Sequence, residues 1–542
     1  MRKVLTAAEM REVDKLTTER SGIPSIGLME NAARAVTDVV SEVLGVSVQG
    51  KSVLVLCGKG NNGGDGAAIS RQLFQLGADV SVCLFGKVEE TKGDARKNFE
   101  IVEKLSRATA AGGDARLILV EVETSKQWDE FPGRGEGERP ELMVDAIFGT
   151  GLTKPLAGVH EEAVQWVNEL LEPRPKVVSV DLPSGLDADR ANLIGEAVKA
   201  DRTVTFTAPK AANILPPAGR NNGKVTVANI GSPEELIAEQ PSQLYLAERA
   251  DAADWLGKSR FSDDSYKNKR GHVLIVAGSE NYSGAAVLCG NAAIRSGVGL
   301  VTVATPRSSK DSIAARVLPE VMVRPLAETD GGAVAAEAID AVEGFLKNVD
   351  AIAIGSGLSA GSDSTAEFVR HFVENRQMPT ILDADALTLM SPFKKRSESE
   401  HPLIVTPHEG EFLKMLGTDD KGAVKDRVAA VREFSQLHNV ILVLKGERVL
   451  IGEPGGQVVV NPTGNSGLGQ AGNGDTLMGL LAGFVAQAAK MGIDVFETVT
   501  AAVYIAGLAG DGAENKYGKR VMTASDVREC LTEVFAELES GK

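Results

Sequence analysis

Cysteine is scarce and scattered in this chain. Its 542 residues include four, Cys57, Cys83, Cys289 and Cys530, with no C-x-x-C pair and no histidine at zinc spacing. That excludes a disulfide scaffold and a thiolate zinc centre. Cys57 and Cys83 lie in strand-like runs and read as small buried hydrophobes, so a reducing cytoplasm is the expected compartment. Positive charge is also in deficit: 58 Lys and Arg face 74 Asp and Glu, for a formal charge of −16. This argues against a nucleic-acid backbone or an anionic membrane as main partner, and anionic ligands must be held by local loops. No apolar run approaches the ~20 residues needed to span a bilayer, so no membrane partner is expected. Residues Met1–Met10 carry acid as well as base and no apolar core, and are not expected to act as a signal peptide.

What is present is ordinary globular material, 43% hydrophobic and 24% charged, in a length that favours about two to four domains. Apolar runs alternate with helix-period segments throughout, which is the α/β pattern of parallel sheets. In the first half the expected strands are Ser52–Cys57, Asp79–Phe85, Leu142–Phe148, Val177–Asp181, Thr203–Thr207 and Lys224–Val227. A crossover helix is expected over Gly64–Leu76, and a helical preface over Thr6–Val43, interrupted at Gly22-Ile23-Pro24. Phe131–Pro140 reads as a polar loop. A second series follows: Val273–Ala277, Leu300–Ala304, Ala351–Ile354, Thr380–Asp383, Leu403–Thr406, Val440–Leu444 and Val458–Val460. Between the two, Gly231–Lys269 is mostly polar and shows no apolar period. The series do not repeat one another, so two unlike domains are expected, 1–240 and 241–542.

Two glycine-rich turns, one in each half, carry an aspartate. Gly60-Asn61-Asn62-Gly63-Gly64-Asp65-Gly66 follows the run Val53–Cys57, and Ala471-Gly472-Asn473-Gly474-Asp475 opens the apolar stretch Leu477–Val485. Such turns offer backbone N–H groups at a positive helix N-terminus, where phosphate binds. A carboxylate there repels the same anion, and makes sense if it handles a proton or a cation. Two active sites on phosphate-bearing molecules are therefore expected.

Two further strand ends in the first half finish in polar chemistry, at Asp145 through Gly149-Thr150-Gly151-Leu152 and at Asp181 through Leu182-Pro183-Ser184-Gly185. Ligands bind at the carboxyl ends of strands in open α/β sheets, so Asn62, Asp65, Asp145, Asp181 and Ser184 are expected along one edge. Their oxygens suit a hard cation, and Lys154 could neutralise a phosphate. Each loop also has a structural alternative, since Asn and Gly suit tight turns and Asp145 or Asp181 could cap a helix.

Residues 22–24 (GIP), 28–33 (LMENAA), 60–66 (GNNGGDG), 144–152 (VDAIFGTGL) and 180–189 (VDLPSGLDAD) together resemble the NAD(P)H-hydrate epimerase family over most of residues 1–235. The resemblance implies a Rossmann-like domain that interconverts the C6 epimers of hydrated NADH and NADPH (NADHX and NADPHX), with a potassium ion in its site. By motif, Asn62, Asp145 and Ser184 are the implied potassium ligands. Asn61, Asn62, Gly63, Gly64 and Asp65, the loop Gly149, Thr150, Gly151, Leu152, Thr153, Lys154 and Pro155, and Asp181 are the implied nucleotide and substrate contacts. Asp181 is the candidate for the acid–base work, because epimerisation needs proton traffic near the carbon bearing the hydroxyl.

In the second half, His408 opens a helix after a strand, Lys445-Gly446 ends another strand, and residues 461–465 (NPTGN) lead to the Gly472–Asp475 turn. This resembles small-molecule kinases of the ribokinase type, in which an aspartate takes the proton of an attacking hydroxyl. His408 could equally be a helix cap, and Lys445 a solvated charge. Residues 272–279 (HVLIVAGS), 293–306 (AIRSGVGLVTVATP), 351–358 (AIAIGSGL), 383–387 (DADAL) and 406–411 (TPHEGE) extend the likeness to NAD(P)H-hydrate dehydratases over roughly 250–535. The implied domain is ribokinase-like. It phosphorylates the C6 hydroxyl of the (S) hydrate, with ADP as the implied donor and magnesium on its phosphates, and then eliminates phosphate. By motif, Gly357, His408 and Asp475 contact the hydrate, with Asp475 as base. Lys445, Gly446, Glu447, Arg448 and Val449, together with Asn465, Ser466, Gly467, Leu468, Gly469, Gln470, Ala471, Gly472, Asn473 and Gly474, hold the donor. The family's run before the aspartate is Thr-Gly-Gly-(Thr/Ser)-Gly-Asp, and this chain departs from it at Gln470 and Ala471. A homo-oligomer is expected from fold-level analogy. The rival readings are a vitamin or sugar kinase with an accessory N-terminal binding domain, and a scaffold whose first domain has lost catalysis.

Overall fold

Alternation along a single strand shows how the first sheet is covered. In Ser52–Cys57, Val53, Val55 and Cys57 join one hydrophobic cluster with Leu28, Ala32, Ala67 and Ile69, while Leu54 and Leu56 join another with Trp128, Ala163 and Val167. Period-two side chains that are apolar on both faces need helices on both faces, and the parallel sheet between them is buried. The architecture is that of a computed structural model, which describes residues 1–45, 47–109, 116–134, 139–394, 396 and 398–540. The chain divides into two compact units: Lys3–Ser242, and Met1–Arg2 with Gln243–Lys542.

The first unit carries seven strands in the order Leu117–Val122, Asp79–Phe85, Ser52–Cys57, Leu142–Ala146, Lys176–Val180, Arg202–Phe206 and Lys224–Ala228. All neighbouring pairs are parallel. The strand order reverses between Ser52–Cys57 and Leu142–Ala146, and the crevice at such a switch point is where open α/β sheets bind ligands. The helical preface forms as Ala7–Ser21 and Ser25–Leu44. Thr6 and Glu9 close a capping box at the first N-terminus, and Gly22 at φ +69° ends that helix.

In the second unit the strands lie side by side as Leu244–Leu246, Val458–Asn461, Val449–Gly452, Ile441–Leu444, Leu403–Val405, Thr380–Leu382, Ala351–Ile354, His272–Val276, Leu300–Pro306 and Val321–Leu326. The hairpin pairs made by Val449–Gly452 with its two neighbours are antiparallel, and the other pairs are parallel. The central helix Asn473–Met491 is buried along most of its length, as its apolar composition requires.

Four strands of three or more residues escape the sequence reading, each for a physical reason, as does the two-residue strand Arg2–Lys3. Leu117–Val122 is an edge strand whose short apolar run does not separate helix from strand. Val321–Leu326 contains Pro325 and also lies at an edge, the place a sheet tolerates proline. Leu244–Leu246 and Val449–Gly452 are only three and four residues long. The segment 231–269 is not a featureless connection. It holds the helix Arg249–Lys258, whose Trp255 stacks on Phe484 with ring centroids 4.1 Å apart and donates its indole N–H to Thr498 Oγ1 at 2.9 Å. The crossover helix runs Asn61–Gln75, so Asn61, Asn62, Gly63 and Gly64 are its first turn and not a loop before it. Of the polar loop Phe131–Pro140, residues 135–138 lie outside the described residues, and Pro132–Arg134 form a single 3-10 turn.

Candidate active sites

The helix Asn61–Gln75 packs unusually close to the sheet. A Cβ at Gly58 would stand 2.1 Å from the Ile147 carbonyl oxygen, and one at Gly63 would stand 1.7 Å from that of Gly58. Glycine is therefore the only residue that fits at Gly63, which is buried, as are Gly64 and Asp65. Asn61 is left exposed at the helix start and Asn62 partly so, with one end of the Asn62 amide, Nδ2, buried and without a hydrogen-bond partner. Next along the edge is the loop after Leu142–Ala146. Gly149 and Thr150 are half-buried, Leu152 also, and Gly151, Thr153, Lys154 and Pro155 are exposed. A methyl placed on Gly149 would lie 3.0 Å from Asn62 Oδ1 and 3.4 Å from Asp181 Oδ2. These three residues from three strand ends thus converge on one spot.

Beneath that spot lies a fully buried carboxylate. Asp145 Oδ2 accepts from the Ser179 hydroxyl and the Ser184 N–H, both at 2.8 Å, and Oδ1 accepts from the Ser184 hydroxyl. Burial raises the Asp145 pKa against the opposing pull of these hydrogen bonds. The Phe148 N–H donates to Ser184 Oγ at 2.9 Å, tying the Gly149 loop to the same group.

Asp181 ends its strand in the left-handed region, at φ +65°, which costs a non-glycine residue about 1–3 kcal/mol. A buried network holds it there. Its Oδ1 accepts from Lys210 Nζ at 2.6 Å and from the Thr205 hydroxyl at 3.0 Å, and its carbonyl accepts from Asn213 Nδ2 at 3.2 Å. Asp14, on the helix Ala7–Ser21, faces the same cluster. Burial pushes its pKa up to about 6, with Lys210 opposing and Asp181 adding to the rise. Asp65 is pushed well above the ordinary carboxylate range by burial first, then by Asp181 and Asp14. Lys210 and Asp14 were not singled out from the sequence. The one available signal was a lysine just beyond an apolar strand, and that alone does not separate a solvated charge from a buried one.

In the second unit, Gly472 at φ +91° caps the helix Asn473–Met491 and places Asp475 in its first turn. A Cβ at Gly474 would lie 3.7 Å from Lys445 Nζ and 4.0 Å from Asp383 Oδ2. Lys445 pairs with Asp383 Oδ1 at 2.8 Å, and the Thr406 hydroxyl donates to the same oxygen at 2.7 Å. Burial raises the Asp475 pKa. Asp383 and Asp385 add to the rise, while a Ser356 hydrogen bond and Lys445 oppose it. A cavity of about 660 Å³ is lined by Tyr282, Gly357, Ser359, Asp385 and Asp475 among others. Gly357 and Asp475, far apart in sequence, therefore share one pocket.

His408 is a helix cap: its Nδ1 accepts from the Glu411 N–H at 3.2 Å, and most of its side chain is exposed. Around Lys445-Gly446-Glu447-Arg448-Val449, Arg448 donates to the Pro462 carbonyl and Val449 begins a strand. Asn465 is tied to Asp511 at 3.1 Å and to the Gly510 carbonyl at 2.9 Å, and it precedes the single 3-10 turn Ser466–Gly469, which includes Gly467 and Leu468. Gln470 and Ala471 are exposed, so neither side chain is forced on the site by packing. Asp383 and Asp385 were read only as part of a motif, and the structure adds them to the site.

Comparisons with known proteins match two separate stretches of the chain. Residues 273–533 match the family model described as NAD(P)H-hydrate dehydratase, and residues 25–212 match that described as YjeF-related protein N-terminus. The bifunctional NAD(P)H-hydrate repair enzyme Nnr of Moorella thermoacetica is 36% identical over 537 residues, spanning 99% of this chain and 97% of that protein. The protein of the same name from Salinibacter ruber is 34% identical, spanning 98% and 96%. A crystal structure of the ADP/ATP-dependent NAD(P)H-hydrate dehydratase from Bacillus subtilis, grown with ATP and Mg2+, is 31% identical, covers 54% of this chain and 99% of its own, and has a TM-score of 0.48.

Proposed function

The chain belongs to the bifunctional NAD(P)H-hydrate repair enzymes, and from that premise we propose how its two units divide the repair. It is an epimerase and a dehydratase in one chain, with a Rossmann-like first unit and a ribokinase-like second unit. The first unit interconverts the (R) and (S) forms of NADHX and NADPHX. The second converts the (S) form to NADH or NADPH at the expense of ADP, leaving AMP and phosphate. The observation that carries this reading is that each unit sets one acid, Asp181 or Asp475, beside a glycine-bearing helix N-terminus at the carboxyl ends of its strands.

In the first site, the reacting carbon C6 bears both a hydroxyl and the ring nitrogen. Asp181 takes the hydroxyl proton, the C6–N bond opens with its electron pair passing to nitrogen, and an aldehyde forms. Rotation and reclosure on the other face return the proton to oxygen, so nothing is consumed. The donor set Asn62, Asp145 and Ser184 is all hard oxygen and contains one carboxylate, which fits a monovalent cation such as potassium. These three residues would hold it, and its charge would help anchor the substrate phosphates.

In the second site, Asp475 takes the C6 hydroxyl proton as that oxygen attacks the terminal phosphorus of ADP, and AMP leaves. Phosphorylation replaces hydroxide, a poor leaving group, with phosphate. Loss of phosphate from C6 and a proton from C5 then restores the double bond. The amides at Asn473 and Gly474 and the Lys445 ammonium suit the transferring phosphoryl group, and Gly357 and His408 are assigned to the hydrate. Magnesium carried on the donor phosphates would meet the oxygen donors Asp383 and Asp385, a chemistry that fits a hard divalent ion. We further assign the chain to the cytoplasm and to a homo-oligomer, to be read by light scattering. Among the described residues no helix is long and apolar enough to cross a membrane.

The test is incubation with a mixture of NADHX epimers, with and without ADP, following the absorbance of restored dihydronicotinamide. Full conversion only with nucleotide is expected. Restoration of one epimer's share would mean a silent first site, and no restoration with ADP or ATP would overturn the reading.

A further inference from the structure

Lys210 is a buried cation facing the first site, at 1% exposure. An ammonium taken out of water costs several kcal/mol unless every donor is met. Here all three N–H groups are met: Asp181 Oδ1 at 2.6 Å, Thr205 Oγ1 at 2.9 Å and the Phe206 carbonyl at 3.2 Å. The lysine backbone is fixed as well. Its N–H donates to Asn213 Oδ1 at 2.8 Å, and Asn213 in turn donates to the Asp181 carbonyl and to Asn222 Oδ1 at 3.0 Å. Asp14 and Asp65 are the other charged groups facing this cluster, and both are acids.

The consequence is a division of labour between the two oxygens of Asp181. Oδ1 is occupied by Lys210 and Thr205, while Oδ2 points to the spot beside Gly149 and Asn62. A carboxylate on a strand end could rotate about its terminal torsion, whose preference is broad. A charged hydrogen bond at 2.6 Å on one oxygen removes that freedom. We propose that Lys210 is a positioning residue of the epimerisation site, which acts through Asp181 by locking its Oδ2 toward the substrate. This rests on the reading of Asp181 as the acid–base group. Lys210 is sealed from the site and does not touch the substrate.

A double-mutant cycle on the full chain tests it, using Lys210→Met, Asp181→Asn and both together, with epimerisation of (R)-NADHX as the readout. Lys210→Met is expected to lower kcat by about 30-fold or more with KM within about threefold, since orientation and not binding is lost. On the Asp181→Asn background, Lys210→Met should change the remaining rate by less than about twofold, because there is no carboxylate left to position. Lys210→Arg, which keeps the charge in a different geometry, should recover part of the loss. If Lys210→Met does not show a cooperative melt, Lys210→Gln replaces it in the same cycle, keeping one donor to Asp181. Equal losses in both backgrounds would mean a structural role only and overturn the proposal. So would a kcat within threefold of the parent. A parent chain that does not epimerise would instead overturn the functional reading beneath it.

Discussion

Asp181 is fixed before any substrate arrives, with Lys210 at 2.6 Å and a hydroxyl on one oxygen, whereas Asp475 stands at the mouth of a helix lining a cavity of about 660 Å³. The difference follows from what each site must do. An epimerisation returns every atom it borrows, so the site needs one acid in one place and no room for a second reactant. Phosphoryl transfer needs two molecules in line, a base whose proton affinity is lifted, and charge for the donor. In the proposed reading Asp475 would have the second of these, since burial and neighbouring carboxylates raise its pKa, and Lys445, held by Asp383, would supply the third. The same device, a glycine-bearing helix start with an acid, is thus preorganised by a buried lysine in one unit and opened to a pocket in the other.

The sharpest way to break the contrast is Asp475→Asn. Dehydration of (S)-NADHX with ADP should fall by about a hundredfold or more, while epimerisation stays within about twofold. Near-normal dehydration would remove Asp475 from the mechanism. Dehydration by the unmodified chain should also depend on pH in a stated direction. The carboxylate is the working form and its pKa is raised by burial. Activity should therefore fall about tenfold per unit as pH drops through a value above the ordinary aspartate range near 3.9. A kcat profile still flat down to that ordinary value would contradict it.

On the other side, Asp145→Ala removes the carboxylate beneath the Gly149 loop. Epimerisation should drop by about tenfold and lose any difference between potassium and sodium buffers, as an oxygen-donor site for a monovalent ion requires. A variant that keeps the parent's cation dependence would refute that assignment. Expressed apart, residues 1–240 should epimerise without nucleotide, and 241–542 should stop near half conversion of an equal mixture until the first piece is added. Rapid conversion of both epimers by the second piece alone would erase the distinction between the units.

The smallest effect concerns Asp14. Burial pushes its carboxyl up to about 6 from the ordinary aspartate range near 3.9. A raised acid contributes stability that is intact below the unfolded value and is lost as pH rises through the folded one. Asp14→Asn should therefore raise Tm by a few degrees near pH 8 and change it little below about pH 4, as melting curves would show. An equal gain at both would mean that ionisation of Asp14 costs the fold nothing.

Local chemistry was legible where it repeats or punctuates. Ser52–Cys57, Asp79–Phe85 and Ala351–Ile354 are where their apolar runs place them, and the Thr6 and Gly22 ends of the first helix follow from their caps. The segment 231–269 shows no apolar period because Ala252, Trp255 and Leu256 are too few to make one, yet one stacked tryptophan is enough to anchor a helix there. His408 reads in sequence as cap or ligand; the structure shows its Nδ1 capping the helix, which leaves its contact with the hydrate as a proposal.

The sequence by itself determined the α/β class, the two unlike halves, and the loops at strand ends where Asn62, Asp145, Asp181 and Asp475 sit, because strands, turns and helix starts are set by neighbours along the chain. Only the tertiary structure decided that Gly149 lies between Asn62 and Asp181, that Lys445 is paired with Asp383, and that Lys210, 29 residues on from Asp181, is buried against it. Those facts depend on sheet order and on the removal of water. A lysine far along the chain looks the same in sequence whether it faces solvent or a carboxylate, and only burial beside that carboxylate gives it a task.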